Sequence, residues 1–274
     1  MVKRSKKIVL GAISLVIIGA GIFYACQKEK NNNPFIENKS LSFENPETYG
    51  ILHNIVTEHI IIEDINLIYC DSLNDKTTIE DQHRAIDLGV KYCVDKNYIE
   101  VHKADPLLRD LYHFVDQYRE KNFFVDLYES RDFFVKVLKD ARFSENMINA
   151  QLFIRETVHP VTCSPERTEY AYNRILSAEN PYRLNNEELF QIKILHAVTN
   201  HSREFWNGSL KKHKEKPRNP NLPSWVADCA EWGMYMDAVG SLYGLAFGPA
   251  GSIILGTTFS IGAKKACEYD GKYK

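Results

Sequence analysis

The chain has few cysteines, and their spacing is unlike that of metal-binding sites. None of the six forms a Cys-x-x-Cys pair, and none clusters with histidines at the spacing of zinc ligands. We therefore expect no bound metal, and nothing in the sequence indicates another cofactor. If Cys26 is set aside for the reason given below, five cysteines remain. An odd number leaves at least one thiol outside any internal disulfide.

The motifs that mark common enzyme classes are also missing. The sequence has no Gly-x-Ser-x-Gly nucleophile turn, no glycine-rich phosphate loop and no His-Glu-x-x-His metal site. We therefore expect a protein that is not an enzyme. The alternative is a catalytic site assembled from residues that are distant in the sequence.

Histidines do lie near carboxylates at helical spacing, in the pairs His59 with Glu63, Glu80 with His83, and Asp110 with His113. Such pairs build di-iron sites when they face one another inside a helical bundle. Here His83 lies on an apolar stripe, whereas His113 shares its face with charged residues, so the pairs should not converge. His196 and His201 are five residues apart on one predicted helix and cannot bind a metal together. We expect all of these to be core or surface histidines.

The chain has no excess of positive charge. It contains 34 Lys and Arg against 36 Asp and Glu, which gives a formal net charge of −2. Nucleic-acid-binding domains carry clustered positive charge, so we expect no nucleic-acid partner. The one basic run, residues 211–218, lies among prolines and is predicted to belong to a polar linker at 207–223.

What the sequence does have at its start is the pattern of an export signal. Four basic residues precede an uncharged apolar stretch from Ile8 to Ala25, and Cys26 follows directly. A cysteine thiol at this point can take a diacylglyceryl group, and each buried methylene of that group adds about 0.8 kcal/mol of membrane affinity. We therefore predict a signal peptide at 1–25 and lipidation of Cys26. The alternatives are an uncleaved membrane helix and ordinary signal cleavage.

The residues after Cys26 predict a flexible tether over 26–44, because Gln27 to Asn33 are too polar to bury. The tether is followed by helix signals. Caps with proline at the first helical position occur at Asn45-Pro46, Asp105-Pro106 and Ser164-Pro165, and apolar residues recur at helical spacing. We predict an all-α domain over 45–206, with further helices at about 123–139, 145–157, 166–178 and 187–206.

The C-terminal segment, 224–274, has small residues at every fourth position of an uncharged stretch. The stripe contains Gly240, Gly244, Gly248, Ser252, Gly256 and Ser260. Glycine costs a helix about 1 kcal/mol against alanine, so this spacing is typical of helices that approach each other closely. Because Pro249 would break a continuous helix, we predict two antiparallel helices joined by a tight turn.

This glycine hairpin has three interpretations. It completes the core of the helical domain, it spans a membrane, or it acts on membranes like a glycine-zipper pore former. Each arm has about 12 uncharged residues, fewer than the roughly 20 that a bilayer requires, so we favour the core. The hairpin also brings Cys229 and Cys267 to similar distances from the turn, which predicts either a disulfide between them or two buried thiols.

Two motifs together resemble uncharacterised lipoproteins of Bacteroidetes-type bacteria. They are Ala25-Cys26-Gln27-Lys28-Glu29 at one end and Gly240-x3-Gly244-x3-Gly248-Pro249 at the other. The tripeptide Asp71-Ser72-Leu73 also resembles the O-glycosylation site of proteins exported by such bacteria, with Ser72 as the acceptor. The resemblance implies a location in the cell envelope, at the outer membrane or cell surface, but no known activity.

We therefore expect a membrane-anchored envelope lipoprotein that binds or scaffolds a partner. Its partners would be the lipid bilayer, through Cys26, and a protein or small molecule that the sequence does not identify. The alternatives are a membrane-active protein and an enzyme with an unrecognised site. If the N-terminal helix is retained, the location would instead be the inner membrane.

The lipid anchor is tested by metabolic labelling with an alkyne fatty acid. We expect the wild-type chain to be labelled and Cys26→Ser to lose the label, because serine offers no thiol for the thioether. Label retained in Cys26→Ser, or absent from both chains, would favour the uncleaved helix.

Overall fold

The computed structural model describes residues 42–68, 78–118, 126–127, 130–158, 165–212 and 229–273. The side chains of 207–212, 229–232 and 267–273 are not among the described parts. The predictions for Cys26 and Ser72 therefore lie outside the described residues. For Cys229 and Cys267 the backbone is described but the side chains are not.

The described residues are helical and contain no strand, which confirms the prediction of an all-α fold. The helices are α1 Pro46–Glu63, α2 Ile79–Asp95, α3 Val101–Asp116, α4 Arg131–Asp140, α5 Glu145–Val158, α6 Pro165–Ile175, α7 Asn186–Lys212, α8 Cys229–Gly244 and α9 Gly248–Tyr273. Short 3-10 turns follow α1, at Ile65–Leu67, and α8, at Leu245–Phe247.

Side-chain caps fix the start of several helices, because the first backbone N–H groups of a helix have no partner within it. At α1, the Asn45 carboxamide accepts a hydrogen bond from the Glu47 N–H at 3.1 Å, as the sequence predicts. At α2, Thr78 and Asp81 form a reciprocal capping box. At α4, Ser130 accepts from the Phe133 N–H at 3.1 Å and caps a helix that begins at Arg131, within the span 123–139 that the sequence predicts as one helix.

The predicted helix start at Asp105-Pro106 is wrong, because α3 begins at Val101 and carries Pro106 inside it. Glu100 has an extended backbone, and its carbonyl accepts from the Lys103 N–H at 2.8 Å, which begins the helix there. Pro106 has no N–H, so one hydrogen bond in the second turn is lost. The lost hydrogen bond lies near the start of the helix, which continues to Asp116.

Helix α7 also differs from prediction, since it continues past Trp206 to Lys212. The predicted break at Asn207-Gly208-Ser209 is helical instead. Glycine and asparagine lower helix stability without forbidding the conformation, at about 1 kcal/mol or less each. The first six residues of the predicted polar linker therefore belong to α7.

The C-terminal hairpin turns at Gly248. This residue has a φ of 83°, a backbone conformation that residues with a side chain rarely adopt. Pro249 then occupies the first turn of α9, where its missing N–H costs nothing. No atom lies within 4 Å of the position that a Gly248 β-carbon would take. Gly248 thus serves the turn and not the predicted packing stripe.

Helices α8 and α9 run antiparallel in backbone contact at the other glycines. A β-carbon on Gly244 would lie 2.5 Å from the carbonyl carbon of Gly251, and one on Gly240 would lie 2.8 Å from the Phe259 β-carbon. Both distances are closer than real β-carbons approach other atoms. Gly251, which is not part of the predicted stripe, belongs to this contact. The absence of side chains at these points is what allows the two helices to approach so closely.

The hairpin lies at the centre of the helical domain. Helix α8 packs on α7, and α9 packs on α1 and α2, while α3 packs on α2. Tyr243 and Phe259 are fully buried, and Phe114 of α3 packs against both rings. The α9 side chain of Ile254 reaches 3.3 Å from the site of a Gly89 β-carbon on α2.

The stretch Gly233–Ala266 has a mean hydropathy of 1.5 in its most apolar window, and by length and composition alone it could cross a membrane. In this fold it is folded back at Gly248, and 61% of that window is buried inside the protein. A core helix passes the same test of hydropathy, so the stretch is weak evidence for a span.

Cys93 is the described cysteine whose thiol is free of a disulfide. It lies on α2 with no exposed surface. Burial raises the pKa of the Cys93 thiol to about 12, which keeps it protonated and unreactive at neutral pH.

The close approach of α8 and α9 is tested with Gly244→Ala. The added methyl group meets backbone atoms of Gly251 and Ser252 that cannot move alone. We expect the free energy of unfolding, measured by urea denaturation, to fall by about 1–3 kcal/mol or more.

Gly89→Ala is the matched control. Its new β-carbon would meet only side-chain atoms, of Ile254 at 3.3 Å and of Ile60 at 3.5 Å, and alanine favours the helix by up to about 1 kcal/mol. We expect stability within about 1 kcal/mol of the wild type. Equal losses in the two variants would contradict a special role for the α8–α9 contact.

Candidate functional site

A buried ion pair joins the first helix to the hairpin. The Nε2 atom of His53 on α1 lies 2.7 Å from Oδ1 of Asp237 on α8, and neither side chain has any exposed surface. A buried charge without a partner costs several kcal/mol, so each of these groups requires the other.

The remaining polar atoms of the pair are also engaged. Asp237 Oδ2 accepts hydrogen bonds from Nε1 of Trp206, at 2.7 Å, and from the hydroxyl of Ser202, both on α7. The Nδ1 atom of His53 lies 3.2 Å from the side-chain oxygen of Asn54. The carboxylate therefore connects three helices, α1, α7 and α8, through charged or charge-assisted contacts.

Gly256 of α9 provides the space for this pair. A β-carbon at this position would lie 3.0 Å from the His53 ring and 3.1 Å from the backbone oxygen of Asp237. The next residue, Thr257, has its hydroxyl 2.9 Å from that of Thr57, which lies one turn after His53 on α1. The predicted small-residue stripe thus serves two contacts, between α8 and α9 and between α9 and α1.

Electrostatics favour a protonated His53. Burial by itself lowers the pKa of a histidine, but the negative charge and hydrogen bond of Asp237 act in the opposite direction and outweigh it. The pKa of His53 is raised as a result. Ser202 donates to Asp237 and not to His53, so the three side chains lack the order of a catalytic triad. Because all three are buried, we interpret them as the internal support of the fold.

A small cavity lies on the other side of α7 and α8. Its volume is about 40 Å³, and it is partly open to solvent. Among the described residues, five helices contribute to its wall. The lining residues are Phe134 of α4; Gln151, Ile154, Arg155 and Val158 of α5; Thr168 and Tyr172 of α6; Leu195, Thr199 and Arg203 of α7; and Met234, Tyr235, Ala238 and Val239 of α8.

The wall of the cavity is mainly apolar, but it holds nitrogen donors. The Gln151 side chain is only 5% exposed, and its Nε2 atom has no hydrogen-bond partner among the described residues. The buried Nε atom of Arg203 likewise has none, although its other nitrogens bond to Asn200 and Thr168. Leaving a buried donor unsatisfied costs about 1–3 kcal/mol. The site is therefore suited to a molecule that accepts hydrogen bonds.

Arg155 adds positive charge to the same wall. Its side chain is 7% exposed, and the guanidinium lies 5.6 Å from the centre of the Phe134 ring. No aspartate or glutamate is among the described residues that line the cavity. Two guanidinium groups therefore face a space whose described wall offers no carboxylate.

A polar network on α6 and α7 supports one side of the cavity. Glu169 accepts hydrogen bonds from His196, at 2.9 Å, and from Asn200, at 3.2 Å. The hydrogen bond from His196 is the main reason that the pKa of Glu169 is lowered. The Tyr172 ring stacks on His196, and its hydroxyl lies 3.1 Å from that of Thr199. The lining side chains of these helices are thereby held in place.

The other histidines singled out from the sequence are dispersed over the domain. His83 lies 3.1 Å from Asp116 and its ring packs against that of Tyr112 at a tilt of 30°, while His201 lies 2.9 Å from Glu47. The ring of His59 packs against that of Tyr92 at a tilt of 36°. His113 is exposed on α3. Among the described residues, no group of three or more His, Cys, Asp or Glu side chains could hold a metal ion.

Reasoning from the sequence missed both the ion pair and the cavity. A signal for the pair was present, because His53 lies on the buried stripe that contains Tyr49, Leu52, Val56 and Ile60. Asp237 lies four residues after Gly233 and three before Gly240, on the glycine face. His53 and Asp237 are thus titratable residues on two faces that are expected to be buried, which indicates that they pair with each other. The cavity had no comparable signal, since its wall combines five helices.

Comparison with known proteins gives no further assignment. No protein-family model, curated protein or solved structure matches this chain. The function must therefore be argued from the residues themselves.

The ion pair predicts that Asp237→Asn is strongly destabilising. Removing one partner of a buried pair leaves the other uncompensated, so we expect the free energy of unfolding to fall by about 3–5 kcal/mol. The pKa of His53 is raised on folding, so the pair contributes fully below about pH 6.5, the value expected for the unfolded chain. The contribution is lost as the pH rises through the higher pKa of the folded state.

Urea denaturation over a pH series checks this dependence. His102→Gln is the control, because His102 is 73% exposed and lies 3.4 Å from Glu100. It should keep the wild-type pH profile, whereas Asp237→Asn should flatten it. An unchanged profile in Asp237→Asn would contradict the role of the pair.

Proposed function

We propose that this protein is a lipid-anchored protein of the bacterial envelope whose helical body binds a partner and is not an enzyme. The proposal combines the N-terminal pattern that ends at Cys26 with the burial of the C-terminal hairpin inside the helical domain. With an anchor at Cys26, the hairpin is not required to hold the protein at a membrane. The observation that carries the proposal is that the hairpin is part of the core.

Several polar contacts would be broken if the hairpin left the body to enter a bilayer. The His53–Asp237 pair and the Thr57–Thr257 contact would be lost. So would the contact of Lys265 on α9, 6% exposed, with Asp81 on α2 at 3.0 Å. Asp237 and Lys265 would then carry charge into the apolar layer or its boundary, which is costly.

Burial of apolar side chains supports the same conclusion. On α9, Ile254, Leu255 and Phe259 have no exposed surface. Burying each such side chain contributes about 1.5–3 kcal/mol, and this is already gained in the folded protein. Transfer of these side chains to lipid would gain little more free energy. The helices that pack on the hairpin would meanwhile expose their own apolar side chains to water.

The cavity lined by helices α4 to α8 supports a binding role within this proposal. It is concave, largely apolar and carries a few converging polar groups, as small-molecule sites do. Tethered through Cys26, the domain would present this cavity at the outer membrane or cell surface. Retention of the N-terminal helix would present it at the inner membrane instead.

The second candidate is a membrane-active protein, favoured by the apolar composition of Gly233–Ala266. The two candidates differ in their effect on lipid vesicles. We expect the full chain, purified in mild detergent and diluted into dye-loaded liposomes, to release no more dye than the same dilution of detergent alone. The reason is that the apolar side chains of the hairpin are already buried in the fold and its charged residues Asp237 and Lys265 are already paired there.

Gly244→Leu is the matched variant, because a leucine here must separate α8 from α9. We expect no release from this variant either. Release by the wild-type chain that Gly244→Leu abolishes would overturn the proposal in favour of the membrane-active candidate.

A further inference from the structure

The size of the cavity limits its ligand. In the measure that gives about 40 Å³ here, one water molecule requires about 10–15 Å³. The space therefore holds about three non-hydrogen atoms, the number in a carboxylate group. A longer chain would have to follow the opening to solvent.

The donors of the wall define the polar end of the ligand. Gln151 Nε2 and Arg203 Nε are buried N–H donors without acceptors among the described residues. Both belong to side chains that line the cavity. A carboxylate offers two oxygens and one negative charge, and hydrogen bonds from a guanidinium to a carboxylate are about twice as strong as neutral ones.

The positive charge of the wall also favours an anionic ligand. Arg155 and Arg203 both line the cavity, and Glu169, whose pKa the charge of Arg203 helps to lower, is held by His196 and Asn200. A cationic ligand would meet the like charge of Arg203 here. An anion is favoured because the described wall contributes no carboxylate of its own.

The rest of the wall defines the apolar end. Ile154, Val158, Leu195, Met234 and Val239 offer aliphatic surface around the donors. An inorganic anion such as phosphate would be desolvated against this surface without compensation, whereas a short aliphatic chain gains from it.

From these features we propose that the cavity binds a short-chain aliphatic carboxylate of about two to four carbons. The proposal rests on the proposed function, since it names the ligand class of the binding role inferred above. The carboxylate lies with its oxygens toward Gln151 and Arg203, and its chain follows the opening to solvent along the aliphatic side chains of the wall. No covalent step is involved.

Isothermal titration of the full chain in detergent tests this assignment with butyrate and butyramide as probes. The two have nearly the same shape, but butyramide is uncharged and has one carbonyl oxygen. We expect saturable butyrate binding in the micromolar to millimolar range, which is usual for so small a ligand. Butyramide and inorganic phosphate should bind about tenfold more weakly or not measurably.

Variants separate the cavity from other basic sites. Arg203→Gln and Gln151→Leu each remove a donor and should weaken butyrate binding about tenfold. Ala238→Leu fills the space and should abolish binding while the melting temperature stays at or above the wild-type value, which keeps the test valid if Arg203→Gln does not fold. Arg174→Gln is the control, because Arg174 lies on α6 but pairs with Glu179 outside the cavity.

Each outcome has a definite meaning. Butyrate binding that is lost in Ala238→Leu and kept in Arg174→Gln supports the proposal. Equal binding of butyramide overturns the carboxylate assignment but leaves a binding function standing. Absence of butyrate binding, or binding unaffected by Ala238→Leu, overturns the inference, while the liposome measurement judges the proposed function separately.

Discussion

The structure depends on one constraint, the close approach of helices that lack side chains at their contact. Gly240, Gly244 and Gly251 allow α8 and α9 to meet backbone to backbone, and Gly256 leaves room for the ring of His53. Without that room, the histidine could not reach Asp237, and the carboxylate would be buried without its charged partner. The glycines and the ion pair therefore form one arrangement, in which the loss of side-chain volume in α9 is compensated by a polar contact with α1.

Helices α7 and α8 carry the polar contacts of Asp237 on one side and line the cavity on the other. Asp237 of α8 faces Trp206 and Ser202, whereas Ala238 and Val239, the next residues, line the cavity. Successive residues on a helix point about 100° apart, so a single helix can contribute to both. The hydrogen bonds of Asp237 hold α7 and α8 together. They therefore also hold in place the part of the cavity wall that these two helices form.

The sequence predicted the helical class and the hairpin because both depend on local patterns. Helical spacing, the Asn45 cap and the proline at the start of α9 act within a few residues, and the structure contains each of them. Local signals failed where tertiary packing decides, as at Pro106 inside α3 and at residues 207–212 of α7. The ion pair and the cavity could be derived only from the fold, because they join residues of different helices. Propensity alone carries no information on which faces meet.

The contact between Thr57 and Thr257 spans 200 positions of the chain. Among the described helices, α1 is synthesised first and α9 last, and each forms part of the other's environment. The buried face of α1 also packs on α7, but the part that meets α9 stays uncovered until the last helix has been synthesised. Contacts of such high sequence separation slow folding, because a long loop must close before they form. In this protein the contacts between α1 and α9 can therefore form only after the helices between them have been synthesised.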